Sequence, residues 1–137
     1  MELEAPQDSP LGRTFFTPLY RPAGAREVFR WWESRRPLFN LCVGAAGLVS
    51  IGVVNALLLL SGRSVGFPVL GVMVFGLLAN LCYTAGPIVD LLFRRHLGTR
   101  GAAVAPVMLR YGFVFSIGLS LLPIPVATIG FLLSILS

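Results

Sequence analysis

The chain has 137 residues, 55% of them hydrophobic and only 12% charged, with a net charge of +5. A soluble domain carries about twice that share of charge, so these proportions exclude a disordered chain and argue against an ordinary soluble enzyme. The eleven basic residues are all arginine, set against six acids (Glu2, Glu4, Asp8, Glu27, Glu33 and Asp90). The arginines flank apolar runs instead of forming a patch, which points to a lipid bilayer as the partner and away from nucleic acid.

Residues 1–22 contain Pro6, Pro10, Pro18 and Pro22 among polar residues, so neither helical nor strand periodicity survives, and an irregular cytoplasmic tail is expected. The acidic start Met1-Glu-Leu-Glu has no apolar core behind it, so a cleaved secretory signal is not expected.

Residues 23–36, AGAREVFRWWESRR, are predicted as a short amphipathic helix at the membrane interface. At 100° per residue Val28, Phe29 and Trp32 share a face with Trp31 at its border, and Arg30–Glu33 and Glu33–Arg36 have helical pair spacing. Tandem indoles beside arginine suit the headgroup layer, so the segment is expected to anchor the next helix at its depth. Docking of a partner protein is the alternative.

Three spans are predicted within a single transmembrane domain, residues 37–137, giving an all-α membrane protein. The first, about 38–60, exceeds the ~20 residues that cross hydrocarbon. Gly44, Ala45, Ala46, Gly47, Ser50 and Gly52 let another helix approach closely, which is the main source of helix attraction in lipid. The second covers about 67–93 and stops at Arg94-Arg95-His96. The third, about 111–136, holds Pro123 and Pro125, which remove backbone donors and predict a kink. A re-entrant pair of half-helices is the alternative for this segment.

Ten arginines lie before the first span or between the second and third, while Arg63 alone occupies the first gap. The positive-inside rule then places residues 1–37 and 94–110 in the cytoplasm, with the C-terminus outside. Cys42 and Cys82 both fall in apolar runs and read as small packing residues, with no metal-ligand spacing near them.

The second span carries an intramembrane polar stripe of Asn80, Tyr83, Thr84 and Asp90. Asn80 lies near mid-span, and Ser50, Ser116 and Ser120 are its candidate hydrogen-bond partners by depth or spacing. Asp90 is the only acid in the apolar region and is expected to pair with Arg94 one turn on. Arg30, Trp31, Trp32, Arg35, Arg36, Arg94, Arg95 and Arg100 are candidates for anionic lipid headgroups. His96 has no implied nucleophile or orienting group, and no catalytic, metal or cofactor motif occurs, so neither an enzyme nor a cofactor is expected.

RWWESRR-PLFNL (Arg30 to Leu41) and ANLCYTAGPI (Ala79 to Ile88) resemble a family of small uncharacterised bacterial integral membrane proteins. Arg110, Gly112, Phe113, Phe115, Ser116 and Leu122-Pro123 extend the resemblance over roughly residues 28–125. Ser34 and Phe39 stand where that family tends to carry a basic residue and a tyrosine. The resemblance implies a bacterial inner membrane and carries no activity, cofactor or partner with it.

Two functions fit this pattern. One is an accessory or scaffolding subunit that packs against copies of itself or a larger membrane complex. The other is a small transporter or channel component, with Asn80, Tyr83, Thr84 and Asp90 lining a path. A lipid-modifying enzyme ranks last, for want of a nucleophile–base pair.

Overall fold

The computed structural model of the protein describes residues 24–98 and 104–136. The expected irregular tail over 1–22, Arg100 and the C-terminal residue lie outside the described residues. Among the described residues all regular structure is helical: α1 (Ala25–Glu33), α2 (Arg36–Leu60), α3 (Val69–Leu97), α4 (Val104–Leu121) and α5 (Pro123–Leu136).

Three stretches are long and apolar enough to cross a membrane: Ala25–Leu60, Val69–Leu97 and Val104–Leu136. In their most apolar windows only 11%, 17% and 6% of residues are buried, so most of the apolar surface faces outward. Leu41, Leu60, Leu70 and Leu136 are each more than two-thirds exposed. A water-soluble monomer does not sustain so much contiguous apolar surface, whereas hydrocarbon solvates it without cost.

Local chemistry sets the helix boundaries. Gly24 is extended at the start of α1 and its carbonyl accepts from Glu27 and Val28, with Glu27 favourably placed in the first turn. Only Ser34 and Arg35 separate α1 from α2, and Pro37 is the second residue of α2, where an amide hydrogen is dispensable. Gly62, at φ +67°, closes α2: its N–H reaches the Leu59 carbonyl and that of Arg63 reaches Leu58, which satisfies two terminal acceptors.

The third stretch differs from the expected 111–136 in beginning at Val104. Arg110 does not end the helix, because a single charge interrupts hydropathy without disturbing helical geometry, and apolar residues precede it. The expected kink is a break at Leu122, between α4 and α5. Pro123 supplies no donor and disfavours helical geometry at the residue before it.

The chain packs as two units, Met1–Pro37 with Leu81–Gly112, and Leu38–Asn80 with Phe113–Ser137. In the first, Val28, Trp31 and Trp32 of α1 are buried, as are Tyr83, Gly86, Pro87 and Asp90 of α3 and Ala105 and Leu109 of α4. In the second, Phe39, Val43 and Ser50 of α2 and Ser120 of α4 are buried, and Phe39 meets Phe113 edge-on with centroids 6.1 Å apart.

Candidate functional site

The densest polar structure lies in the first unit, where α1 lies on α3. Tyr83, Gly86, Pro87 and Asp90 follow the i, i+3, i+4, i+7 spacing of one helical face, and all four are buried. Val28, Trp31 and Trp32 form the matching seam of α1. Gly86 leaves the space that the Trp32 ring fills: a Cβ at Gly86 would lie 2.6 Å from the Trp32 Cζ3 atom.

That approach brings the indole to the carboxylate. Trp32 Nε1 donates to Asp90 Oδ2 at 3.1 Å, while Arg94 Nε donates to Asp90 Oδ1 at 2.9 Å. Asp90 is 1% exposed, and each of its oxygens receives a donor, one of them a cation. The Tyr83 hydroxyl donates to the Trp32 carbonyl at 2.6 Å, and its ring stands edge-on to the indole at 5.6 Å.

The end of α1 is closed by side chains as well as backbone. Ser34 Oγ and Arg35 Nη1 both donate to the Trp31 carbonyl at 2.8 Å, satisfying an acceptor that the helix itself leaves open. The Arg35 guanidinium lies 3.7 Å from the centre of the Trp31 ring, a cation–π contact. Arg36 Nη2 donates to Glu33 at 2.7 Å and to Thr84 Oγ1 at 3.1 Å. Arginine, tryptophan and carboxylate thus form one connected cluster that clamps α1 to α3.

The Asp90–Arg94 pair is present as the spacing indicates, with Trp32 as an additional partner. Trp32 was legible in principle: a buried indole N–H needs an acceptor, and Asp90 is the only acid in the apolar region. Trp31 and Trp32, expected at lipid headgroups, are buried within the first unit, at 9% and 3% exposure. Arg94 is turned inward onto Asp90, which among the described residues leaves Arg30 and Arg95 as the exposed ones of those candidates for lipid. On α1 the apolar seam takes Trp31 and leaves Phe29 exposed.

The polar stripe of α3 is divided between the units. Tyr83, Thr84 and Asp90 belong to the cluster, while Asn80 belongs to the second unit, where its Nδ2 donates to the Gly76 carbonyl at 3.0 Å. None of the three expected partners, Ser50, Ser116 and Ser120, bonds it. Ser120 Oγ donates to the Ser116 carbonyl at 2.8 Å, and Ser50 Oγ is buried without a hydrogen-bond partner. A polar side chain one turn above a carbonyl of its own helix needs no second helix to be satisfied, and that local option wins for Asn80 and Ser120.

The small residues of α2 sort onto different faces. Ala45, Gly52 and Ala56, spaced by seven and four, are exposed, and a Cβ at Gly52 would meet nothing within 4 Å. Ser50 is buried, and it lines one cavity together with Gly44 and Gly47, away from that exposed face. Among the described residues no three of His, Cys, Asp or Glu come together, and both cysteines are free.

No protein family, curated protein or solved structure matches the chain.

Proposed function

We propose that the chain is a non-enzymatic accessory or scaffolding subunit of the bacterial inner membrane, associating through small-residue helix faces with copies of itself or a larger complex. The observation that carries this reading is the exposed seam of Ala45, Gly52 and Ala56 on α2. Helices attract in lipid by close backbone approach, and a seam of this kind permits it. The cluster around Asp90 supports the same reading. Both carboxylate oxygens already hold donors and Thr84 holds Arg36, so these groups brace α1 and do not present a path for a solute.

The test is oligomeric state. Gly52→Leu is expected to weaken association at least about tenfold, or ~1.4 kcal/mol, while the tryptophan emission of the folded unit stays unchanged. Native mass spectrometry from mild detergent reads it. A wild-type chain that remains monomeric with no co-purified protein defeats the proposal. So does Asp90→Asn, if it alters solute flux while assembly survives, since that result belongs to the transporter reading.

In the proposed orientation the arginine-rich residues 1–37 and 94–110 are cytoplasmic, with Arg30 and Arg95 available to anionic lipid. Ser64→Cys is then expected to react with an impermeant maleimide applied to intact cells, and His96→Cys only after permeabilisation. The reverse pattern overturns this topology.

A further inference from the structure

The second unit contains a cavity of about 570 Å³, well within the ~300–1,000 Å³ of small-molecule sites. Its walls run along α2 from Asn40 to Ile51 and along the chain from Phe67 to Asn80, with Leu119, Ser120 and Pro123 behind. Eleven residues of helical rise between Asn40 and Ile51 make it about 16 Å long. Gly44, Gly47 and Gly76 create the depth, since a Cβ at any of them would meet nothing within 4 Å. A second cavity of about 250 Å³ shares Ser50, Ile51, Pro68 and Pro123 with the first, so Ser50 stands where two lobes adjoin.

Ser50 is the independent sign of a ligand. It is 2% exposed, and its hydroxyl has no hydrogen-bond partner. Ser61, Ser120, Thr128 and Ser134 all satisfy their hydroxyls on carbonyls of their own helices; Ser50 does not. A buried hydroxyl left unpaired is costly, and this one borders otherwise mostly apolar walls. A helix is about 10 Å across with its side chains, whereas a slender molecule lying along the cavity would pass Ser50, which lines both lobes.

We propose that this cavity binds an elongated lipid-soluble molecule whose apolar body fills the slot between α2 and α3, and whose single carbonyl or hydroxyl oxygen accepts a hydrogen bond from Ser50. The few polar groups in an apolar pocket set orientation and specificity, and Ser50 is the group that distinguishes an oxygenated ligand from plain hydrocarbon.

The experiment uses the full chain in phosphatidylethanolamine–phosphatidylglycerol vesicles with two photoactivatable probes, a diazirine-bearing octanol and a diazirine-bearing octane. Saturable labelling is expected in the segments 40–51 and 71–80, with the alcohol preferred about 3- to 20-fold, the range of one hydrogen bond in lipid. Ser50→Ala is expected to abolish that preference while hydrocarbon labelling and thermal stability are retained, because removing an unpaired hydroxyl does not harm the empty protein. Gly47→Phe is expected to exclude both probes. Equal labelling by both probes in the wild type, or labelling that does not saturate, overturns the proposal. Cross-linking of Ser50→Cys between copies also overturns it, by showing a second chain in the cavity.

Discussion

Asp90→Ala is expected to destabilise the first unit by about 3–5 kcal/mol, the loss that follows when one member of a buried ion pair is removed and its partner stays. The size follows from what remains. Arg94, whose side chain is only 11% exposed, loses the carboxylate it holds at 2.9 Å, and the Trp32 N–H loses its acceptor at 3.1 Å. Asp90→Asn is expected to cost less, since an amide oxygen still receives one of the two donors. The pairing of Asp90→Asn with Arg94→Gln is expected to recover most of the loss, because the charge that Asp90 balances is removed together with it while Trp32 keeps an acceptor. Unfolding in mixed detergent micelles, followed by tryptophan emission, measures all three. If the double substitution is as damaging as Asp90→Ala, the charge balance is not what holds the cluster together.

The sequence makes the spans legible because hydropathy and arginine placement act through the solvent, one residue at a time. The cluster is only half legible for the opposite reason. Asp90 and Arg94 are one turn apart, so spacing alone pairs them; Trp32 is 58 residues from Asp90, and only packing brings the two together. The tandem indoles suit a bilayer interface equally well, and the deciding residue is Gly86, whose missing side chain is silent in any hydropathy reading. It becomes informative once Tyr83, Gly86, Pro87 and Asp90 are placed on one face of α3, where a gap beside the sole acid invites a large donor-bearing ring. The reading of Asn80 and Ser120 as interhelical partners failed because depth matching overlooks carbonyls one turn away on the same helix. Ser50, matched by the same criterion, is left buried with no partner.

Gly86→Ala has an effect whose sign depends on Trp32. Alanine is the better helix former by about 1 kcal/mol, so on helix propensity alone the substitution stabilises α3. Against Trp32 the new Cβ would lie 2.6 Å from Cζ3 and 2.7 Å from Cη2. The ring has little room to yield: Trp31 is edge-on at 5.4 Å, Tyr83 is edge-on at 5.6 Å, and the indole N–H is tied to Asp90. Overpacking of this kind costs about 1–3 kcal/mol, and a ring that does shift gives up its hydrogen bond as well, so the net expectation is destabilisation with red-shifted tryptophan emission. Phenylalanine lacks the outer atoms of the indole. In a Trp32→Phe background the same Gly86→Ala change is therefore expected to be neutral or stabilising, reversing sign. A double-mutant cycle of unfolding free energies tests this, and equal effects in the two backgrounds would show that α1 does not seat its indole on Gly86.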